Sequence, residues 1–221
     1  MRPRRLTSPK NWLHQLPEPG PQFIMQNKIL VIACGAIARE LVRIKKLNQW
    51  DHLEFQCLPP ELHNTPDQLP AAVKAKVDSQ AGSYNKIFVA YADCGTGGKL
   101  DEVLDKYGIE RIPGAHCYEF YTGSESFQAI ADAEPGSFYL TDFLVRHFDR
   151  LVVKGLGMDR LPQLKSVYFN NYKRIVYLAQ SESEELKAMA QKHADYLGLD
   201  YEFHKCGDAP LAHALTPALE Q

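Results

Sequence analysis

The sequence predicts an α/β fold, in which helices cover a parallel sheet as in Rossmann-like or flavodoxin-like sandwiches, built as one body or as two lobes around a cleft. Short apolar runs rich in Val, Ile and Leu alternate with amphipathic segments of about ten to fifteen residues. Glycine, proline or polar clusters separate these segments. Crossovers of this kind join parallel strands.

Seven of the apolar runs are predicted to be strands, because each is short and is bounded by turn residues. The predicted strands are 28–33, 53–58, 86–91, 109–112, 137–140, 173–179 and 201–205.

The predicted helices between these strands carry recognisable signals at their ends. Thr65 stands where it can cap a helix that begins at the next residue, a proline. Ser181 and Glu184 have the spacing of a capping box, before a helix that ends at Gly198. A further helix is expected over 142–156.

Composition shifts predict how the chain is organised. The first residues contain arginine, lysine and proline without a continuous apolar core, which is untypical of a secretory signal peptide. We expect four regions: a flexible N-terminal arm over 1–27, a main α/β lobe with a Cys/His site over 28–140, a smaller α/β lobe over 141–208, and a C-terminal tail over 209–221. This tail is interpreted as a short helix or a loose segment.

Charge and hydropathy argue against two classes of partner. The 25 Lys and Arg residues are balanced by 27 Asp and Glu residues, so the basic surface that nucleic-acid binding needs is not expected. No apolar run approaches the roughly 20 residues of a membrane-spanning helix. Five scattered cysteines do not resemble a disulfide framework, so we expect a cytoplasmic protein with reduced thiols that acts on a small molecule.

The positions of the cysteines predict a site. Four of them lie at or just beyond the carboxyl end of a predicted strand: Cys34, Cys94, Cys117 and Cys206. In open parallel sheets the ligand crevice lies outside those ends. Cys57 lies inside a strand, and it is interpreted as structural, as is Cys206.

Cys34 and Cys94 each precede a glycine at a strand-to-helix turn, where helix N–H groups favour a thiolate. Together with His116, Cys117 or both, they would supply the Cys and His ligands of a zinc ion, and iron is the alternative. No CxxC pair is present, so the residue types favour a metal site more than the spacing does.

The turn after the third strand is rich in glycine and is predicted to hold a small anion, with a plain tight turn as the alternative. The candidate ligand-binding residues are Gly35, Gly95, Thr96, Gly97, Gly98, Asn64 and Tyr118. Candidates for proton transfer are His63, Asp93 and Glu119, each of which is alternatively a solvated loop residue.

Five segments in this order resemble the domain-of-unknown-function 1638 (DUF1638) family over about residues 28–205: ILVIACGAIARELVRI, LPPELHNTPDQLPAAV, IFVAYADCGTGGKLD, IPGAHCYEFYTGS and PGSFYLTDF. The resemblance brings no assigned activity. It implies an association with corrinoid-dependent methyl-transfer systems that act on methylamines or betaines. Many relatives separate the last His and Cys by one residue, whereas His116 and Cys117 are contiguous, so either can hold the family's role.

Three functions are consistent with these features. The first is a zinc- or iron-dependent enzyme of one-carbon or methylated-amine metabolism that transfers methyl groups with a corrinoid protein. The second is a non-catalytic accessory protein of a corrinoid methyltransferase, although no DxHxxG-like motif is present. The third is a metal-free racemase-like enzyme that uses Cys34 and Cys94 as its acid and base.

Overall fold

The computed structural model describes residues 28–219, so the N-terminal arm predicted over 1–27 lies outside the described residues. It contains two sheets, with strand orders β2-β1-β3-β4 and β5-β6-β7. Every strand pair within them is parallel, and helices flank both sheets, which confirms the predicted α/β class.

The first sheet is built around β1 (Ile29–Cys34), which lies between β2 (Leu53–Leu58) and β3 (Lys86–Ala90). The short strand β4 (Glu110–Arg111) pairs with β3 at the edge. Because β1 is buried on both faces, it is apolar in nearly every position, as the sequence pattern predicted.

The connections of the first sheet are mostly helical. The helices are α1 (Ala38–Asn48), α2 (Leu69–Gln80), α3 (Lys99–Leu104), α4 (Glu119–Thr122) and α5 (Ser124–Ala133). The predicted start of α2 is wrong, because a 3₁₀ turn over Pro66–Gln68 precedes the helix and the Thr65 side chain makes no capping hydrogen bond.

The second sheet consists of β5 (Ser137–Thr141), β6 (Arg174–Ala179) and β7 (Asp200–Lys205). Its helices are α6 (Asp142–Arg146), α7 (Leu164–Phe169) and α8 (Glu184–Leu197). Since β5 pairs with β6, the second sheet begins at Ser137, inside the region 28–140 that we expected to form the main lobe.

Two predicted helices of the second sheet differ from the structure. The helix expected over 142–156 is divided, because α6 ends at Arg146 and a π-helix occupies Asp149–Lys154. The cap of α8 is Ser183 and not Ser181, because the Ser181 hydroxyl donates instead to the Asp142 carboxylate. The capping-box spacing therefore indicated the right helix with the wrong first residue.

The last described segment returns to the first sheet. Helices α9 (Ala209–Ala214) and α10 (Thr216–Leu219) bury Leu211, Leu215 and Ala218 in the same core as β1. The segment predicted as a short helix or a loose tail is thus helical and packed over its described part.

The two halves meet along a seam of direct contacts. The side-chain amide of Asn64 donates to the Leu151 carbonyl (2.9 Å). The centre of the Tyr139 ring, on β5, lies 5.3 Å from the centre of the Tyr118 ring. Glu40 of helix α1 is also buried, and it lies close enough to Asp142 of the second half for the charge of Asp142 to affect its pKa. Among residues 28–219, no helix has the length and apolar content to cross a membrane.

Candidate functional site

Three thiols gather at the carboxyl end of the first sheet. Cys34 ends β1, and Cys94 and Cys117 follow β3 and β4. The sulfurs of Cys94 and Cys117 are 2.7 Å apart, although 23 positions separate the two residues in the chain. Cys34 is close enough for its charge to affect both of these thiols. The structure therefore places three of the four strand-end cysteines near one another.

The contact between the two sulfurs depends on two loops that run side by side. The Asp93 amide donates to the Gly114 carbonyl (3.0 Å), and the Cys94 amide donates to the Ala115 carbonyl (2.9 Å). Cys94 itself has a φ of 50°, a conformation that residues other than glycine seldom adopt. Backbone of this kind persists only where its surroundings hold it, and it occurs often at functional sites.

The glycine-rich turn is organised by its own aspartate. The Asp93 carboxylate accepts hydrogen bonds from the Thr96 hydroxyl (2.7 Å) and from the backbone amides of Gly98 (2.8 Å) and Gly97 (3.1 Å). These donors lower the pKa of Asp93 to about 2, so the group stays ionised near neutral pH. Two of the amides that we expected to hold a ligand anion are therefore satisfied within the turn.

The glycines of the candidate set differ in what they do. Gly95, Gly97 and Gly98 all have positive φ, which this turn requires. At Gly35 a side chain would come within 3.1 Å of both the Leu58 carbonyl oxygen and the Pro60 ring, so this glycine permits close packing of two strand ends.

The three thiols have different proton affinities. The hydrogen bond between the Cys94 and Cys117 sulfurs lowers the pKa of Cys94 and raises the pKa of Cys117, and burial raises the pKa of Cys117 as well. Burial raises the pKa of Cys34 to about 11, although the Ala36 amide donates to its sulfur at 3.4 Å. The expected thiolate therefore forms most easily at Cys94, and at Cys34 burial outweighs the turn.

Tyr91, which our sequence analysis missed, adds a polar group beside the thiols. Its side chain is only 3% exposed, its hydroxyl lies next to Cys34, and that hydroxyl has no well-formed hydrogen bond. Leaving a buried polar group without a partner costs about 1–3 kcal/mol. A bound ion, water or substrate atom at this point would remove that cost. The only signal in the sequence was the tyrosine at the end of an otherwise apolar strand.

Aromatic and imidazole rings border the thiol site. The His63 ring lies 6.2 Å from the Tyr118 ring, and the His116 ring lies 6.1 Å from that of Phe127. His63 reaches solvent, yet the surrounding protein and then the charge of His116 lower the pKa of His63. Its imidazole is therefore neutral over a wider pH range than usual and is suited to accept a proton.

The remaining candidates make structural contacts. The Glu119 carboxylate accepts from the amides of Ala115 (2.8 Å) and His116 (3.1 Å), which shapes the loop that carries Cys117. The Asn64 amide is used in the contact between the two halves described above.

A preformed metal cage is not present in the described part of the chain. Within residues 28–219, no three His, Cys, Asp or Glu side chains are arranged as they would be around an ion. Cys94 and Cys117 offer two adjacent soft donors, Cys34 lies near them, and the Tyr91 hydroxyl beside Cys34 lacks a partner. This donor set fits zinc in chemical type, because thiolates are preferred zinc ligands, and the Cys34 side chain would have to turn away from Ala36 to join it.

A family comparison agrees with the order of these segments. The family model described as "Protein of unknown function (DUF1638)" matches residues 57–215, well over half of the 221-residue chain. The chain belongs to the DUF1638 family. The match begins after Cys34, later than the resemblance over 28–205 led us to expect, and it includes Cys94, Cys117 and the whole second sheet. No curated protein matches the chain.

This DUF1638 protein also buries two carboxyl groups, Glu40 and Asp142, which the sequence analysis did not identify. Asp142, 6% exposed, accepts hydrogen bonds from Tyr177, Gln180 and Ser181. Glu40, 5% exposed, has one carboxyl oxygen without a hydrogen-bond partner. Burial, and to a smaller extent the charges of Asp208 and Asp142, raise the pKa of Glu40, while Arg43 acts in the opposite direction.

The raised pKa of Glu40 predicts a pH-dependent stability. A carboxyl whose pKa is higher in the folded state stabilises the fold below its ordinary value of 4.5, and that contribution is lost as the pH rises through the folded value. As the pH rises from 4.5 to 7, the free energy of unfolding measured by urea titration should fall less for Glu40→Gln than for the wild type. The exposed Glu102→Gln should retain the wild-type slope, and equal slopes for all three proteins would contradict the assignment.

Proposed function

We propose that this protein is a metal-dependent enzyme whose ion, zinc or alternatively iron, is held by Cys94, Cys117 and Cys34. The observation that carries the proposal is the 2.7 Å contact between the Cys94 and Cys117 sulfurs at the ends of adjacent parallel strands. Two thiols from separate loops converge there with a third beside them, at the edge of the sheet where α/β enzymes bind their ligands. Bound at this point, the ion would supply a Lewis acid that activates a thiol or water or polarises a carbonyl.

The chain's own groups have definable roles around that position. Cys94 loses its proton most readily of the three thiols, and the paired loops hold its sulfur in place. The unpartnered Tyr91 hydroxyl is placed to donate to a group bound beside Cys34. At the rim, the neutral His63 imidazole can take up a proton released from a substrate.

We propose methyl transfer in one-carbon or methylated-amine metabolism as the reaction, with a corrinoid protein as partner and a small molecule as substrate. Support comes from the chemistry of the donor set, since a metal–thiolate centre activates thiols as methyl acceptors, and from what resemblance to the family implies. The racemase alternative needs two thiols on opposite sides of a cleft, whereas Cys34 and Cys94 both belong to the first sheet. The accessory role stays a prediction.

The metal content of the purified full-length chain tests the proposal. By elemental mass spectrometry we expect about one zinc or iron ion per wild-type chain. The metal content of Cys94→Ser and of Cys117→Ser should be at least tenfold lower, because each substitution removes a thiolate ligand of the ion. The matched control is Cys57→Ser, which changes an exposed thiol on β2 and should retain the ion. A metal-free wild type, or a Cys94→Ser protein with full occupancy, would overturn the proposal.

A further inference from the structure

The paired sulfurs have a second chemistry that does not require a metal. Cys94 and Cys117 are free thiols 2.7 Å apart, and a disulfide bond is about 2.05 Å long. Closing the bond therefore requires the sulfurs to approach by about 0.7 Å. Both side chains are half-buried and not sealed from solvent, so a small oxidant can reach them.

The other cysteines of the described chain are placed differently. The Cys34 sulfur accepts a hydrogen bond from the Ala36 amide. Cys57 is exposed on the edge strand β2. The Cys206 thiol follows β7 and donates to the His204 carbonyl at 3.6 Å. Among the thiol contacts described for residues 28–219, the pair formed by Cys94 and Cys117 is the one in which sulfur meets sulfur.

We infer that Cys94 and Cys117 form a reversible intramolecular disulfide when the protein meets a hydroperoxide. In the first step, the Cys94 sulfur attacks one oxygen of hydrogen peroxide, becomes a sulfenic acid and releases one water. In the second step, the Cys117 sulfur attacks the Cys94 sulfur, the S–S bond forms and a second water leaves. Two thiols and one peroxide thus give one disulfide and two waters, and a dithiol reductant reverses the reaction.

The disulfide would also regulate the proposed metal centre. Two sulfurs joined to each other can no longer act as thiolate ligands, so oxidation is expected to release the ion. This consequence rests on the proposed function, whereas formation of the disulfide does not.

The experiment uses the full-length chain, reduced and treated with a chelator, and then exposed to one equivalent of hydrogen peroxide. We expect the loss of two of the five thiols, a non-reduced peptide in which Cys94 is linked to Cys117, and recovery of both thiols with dithiothreitol. Cys57→Ser should lose the same pair. Cys117→Ser should stop at a Cys94 sulfenic acid, which dimedone traps with its characteristic added mass.

Two results would overturn the inference: no linked peptide between Cys94 and Cys117, or thiol loss that is explained by links through Cys57. A reduced portion of the same protein, loaded with zinc or iron before any peroxide is added, separates the two proposals. A wild type that binds no metal but forms the linked peptide removes the proposed function and leaves the disulfide intact. A wild type that binds metal but forms no linked peptide does the reverse.

Discussion

Replacing Asp93 with alanine is expected to lower the free energy of unfolding by about 2–4 kcal/mol, because three donors lose a charged acceptor. Those donors are the Thr96 hydroxyl and the amides of Gly97 and Gly98. Cys94 is the next residue and has positive φ, so the loss of this anchor should also displace its sulfur from Cys117. Guanidinium denaturation measures the first effect, and the metal content of the purified variant measures the second.

The pH dependence provides a second test of Asp93. The pKa of Asp93 is lowered to about 2, so its ionised carboxylate stabilises the fold fully above the ordinary pKa of 3.8. This stabilisation is lost as the pH falls towards 2. Since the carboxyl group is partly exposed, we expect this pH-dependent part of its effect on the free energy of unfolding to be about 1–2 kcal/mol after solvent screening. Asp93→Ala should lack that acid-induced loss. The exposed Asp51→Ala is the matched control, and a denaturation midpoint of Asp93→Ala equal to that of Asp51→Ala would contradict the anchoring role.

Much of the thiol site could be predicted because it depends on strand order. A cysteine directly after a parallel strand lies at the carboxyl edge, and a prediction of the strand to within one or two residues places it there. Cys34, Cys94 and Cys117 were located in this way. Which two sulfurs meet could not be predicted, because the contact depends on hydrogen bonds between loops that are distant in the chain, such as that from Cys94 to Ala115.

The glycine-rich turn shows a different limit of the sequence. Exposed backbone amides are typical of an anion site, and the pattern correctly indicates a concave turn with positive φ. The anion that occupies part of it is the neighbouring Asp93 carboxylate. A local pattern therefore identified the shape of the turn but not the group that fills it.

The buried carboxyl groups were missed because their surroundings come from segments that are distant in the chain. Glu40 lies on an amphipathic helix, where a glutamate is usually exposed, but it is buried within reach of the charge of Asp142 from the second half. Asp142 resembles an ordinary first-turn acid of α6. Its principal partners, Tyr177, Gln180 and Ser181, lie on or directly after β6, and this pairing exists only once the second sheet has formed.

Asp142→Ala is expected to lower the free energy of unfolding by about 3–5 kcal/mol, because it leaves buried donors without an acceptor at the junction of β5 and β6. The Tyr177 hydroxyl (2.7 Å) and the Gln180 backbone amide (3.0 Å) both donate to Oδ1 of Asp142. The Ser181 hydroxyl donates to its Oδ2. In return, the Asp142 amide donates to the Gln180 side chain at 2.8 Å. Urea denaturation of the full chain, followed by circular dichroism, measures the loss.

Two further variants distinguish the loss of these hydrogen bonds from a general effect of mutation. Asp142→Asn keeps an acceptor for Tyr177 and Gln180, and its amide can donate to Ser181 once that hydroxyl turns, so we expect less than half of the alanine effect. Asp149→Ala removes an exposed aspartate that pairs with Lys154, and it should leave the midpoint near that of the wild type. If Asp142→Ala unfolds at the same denaturant concentration as Asp149→Ala, the buried carboxylate does not hold the second sheet together.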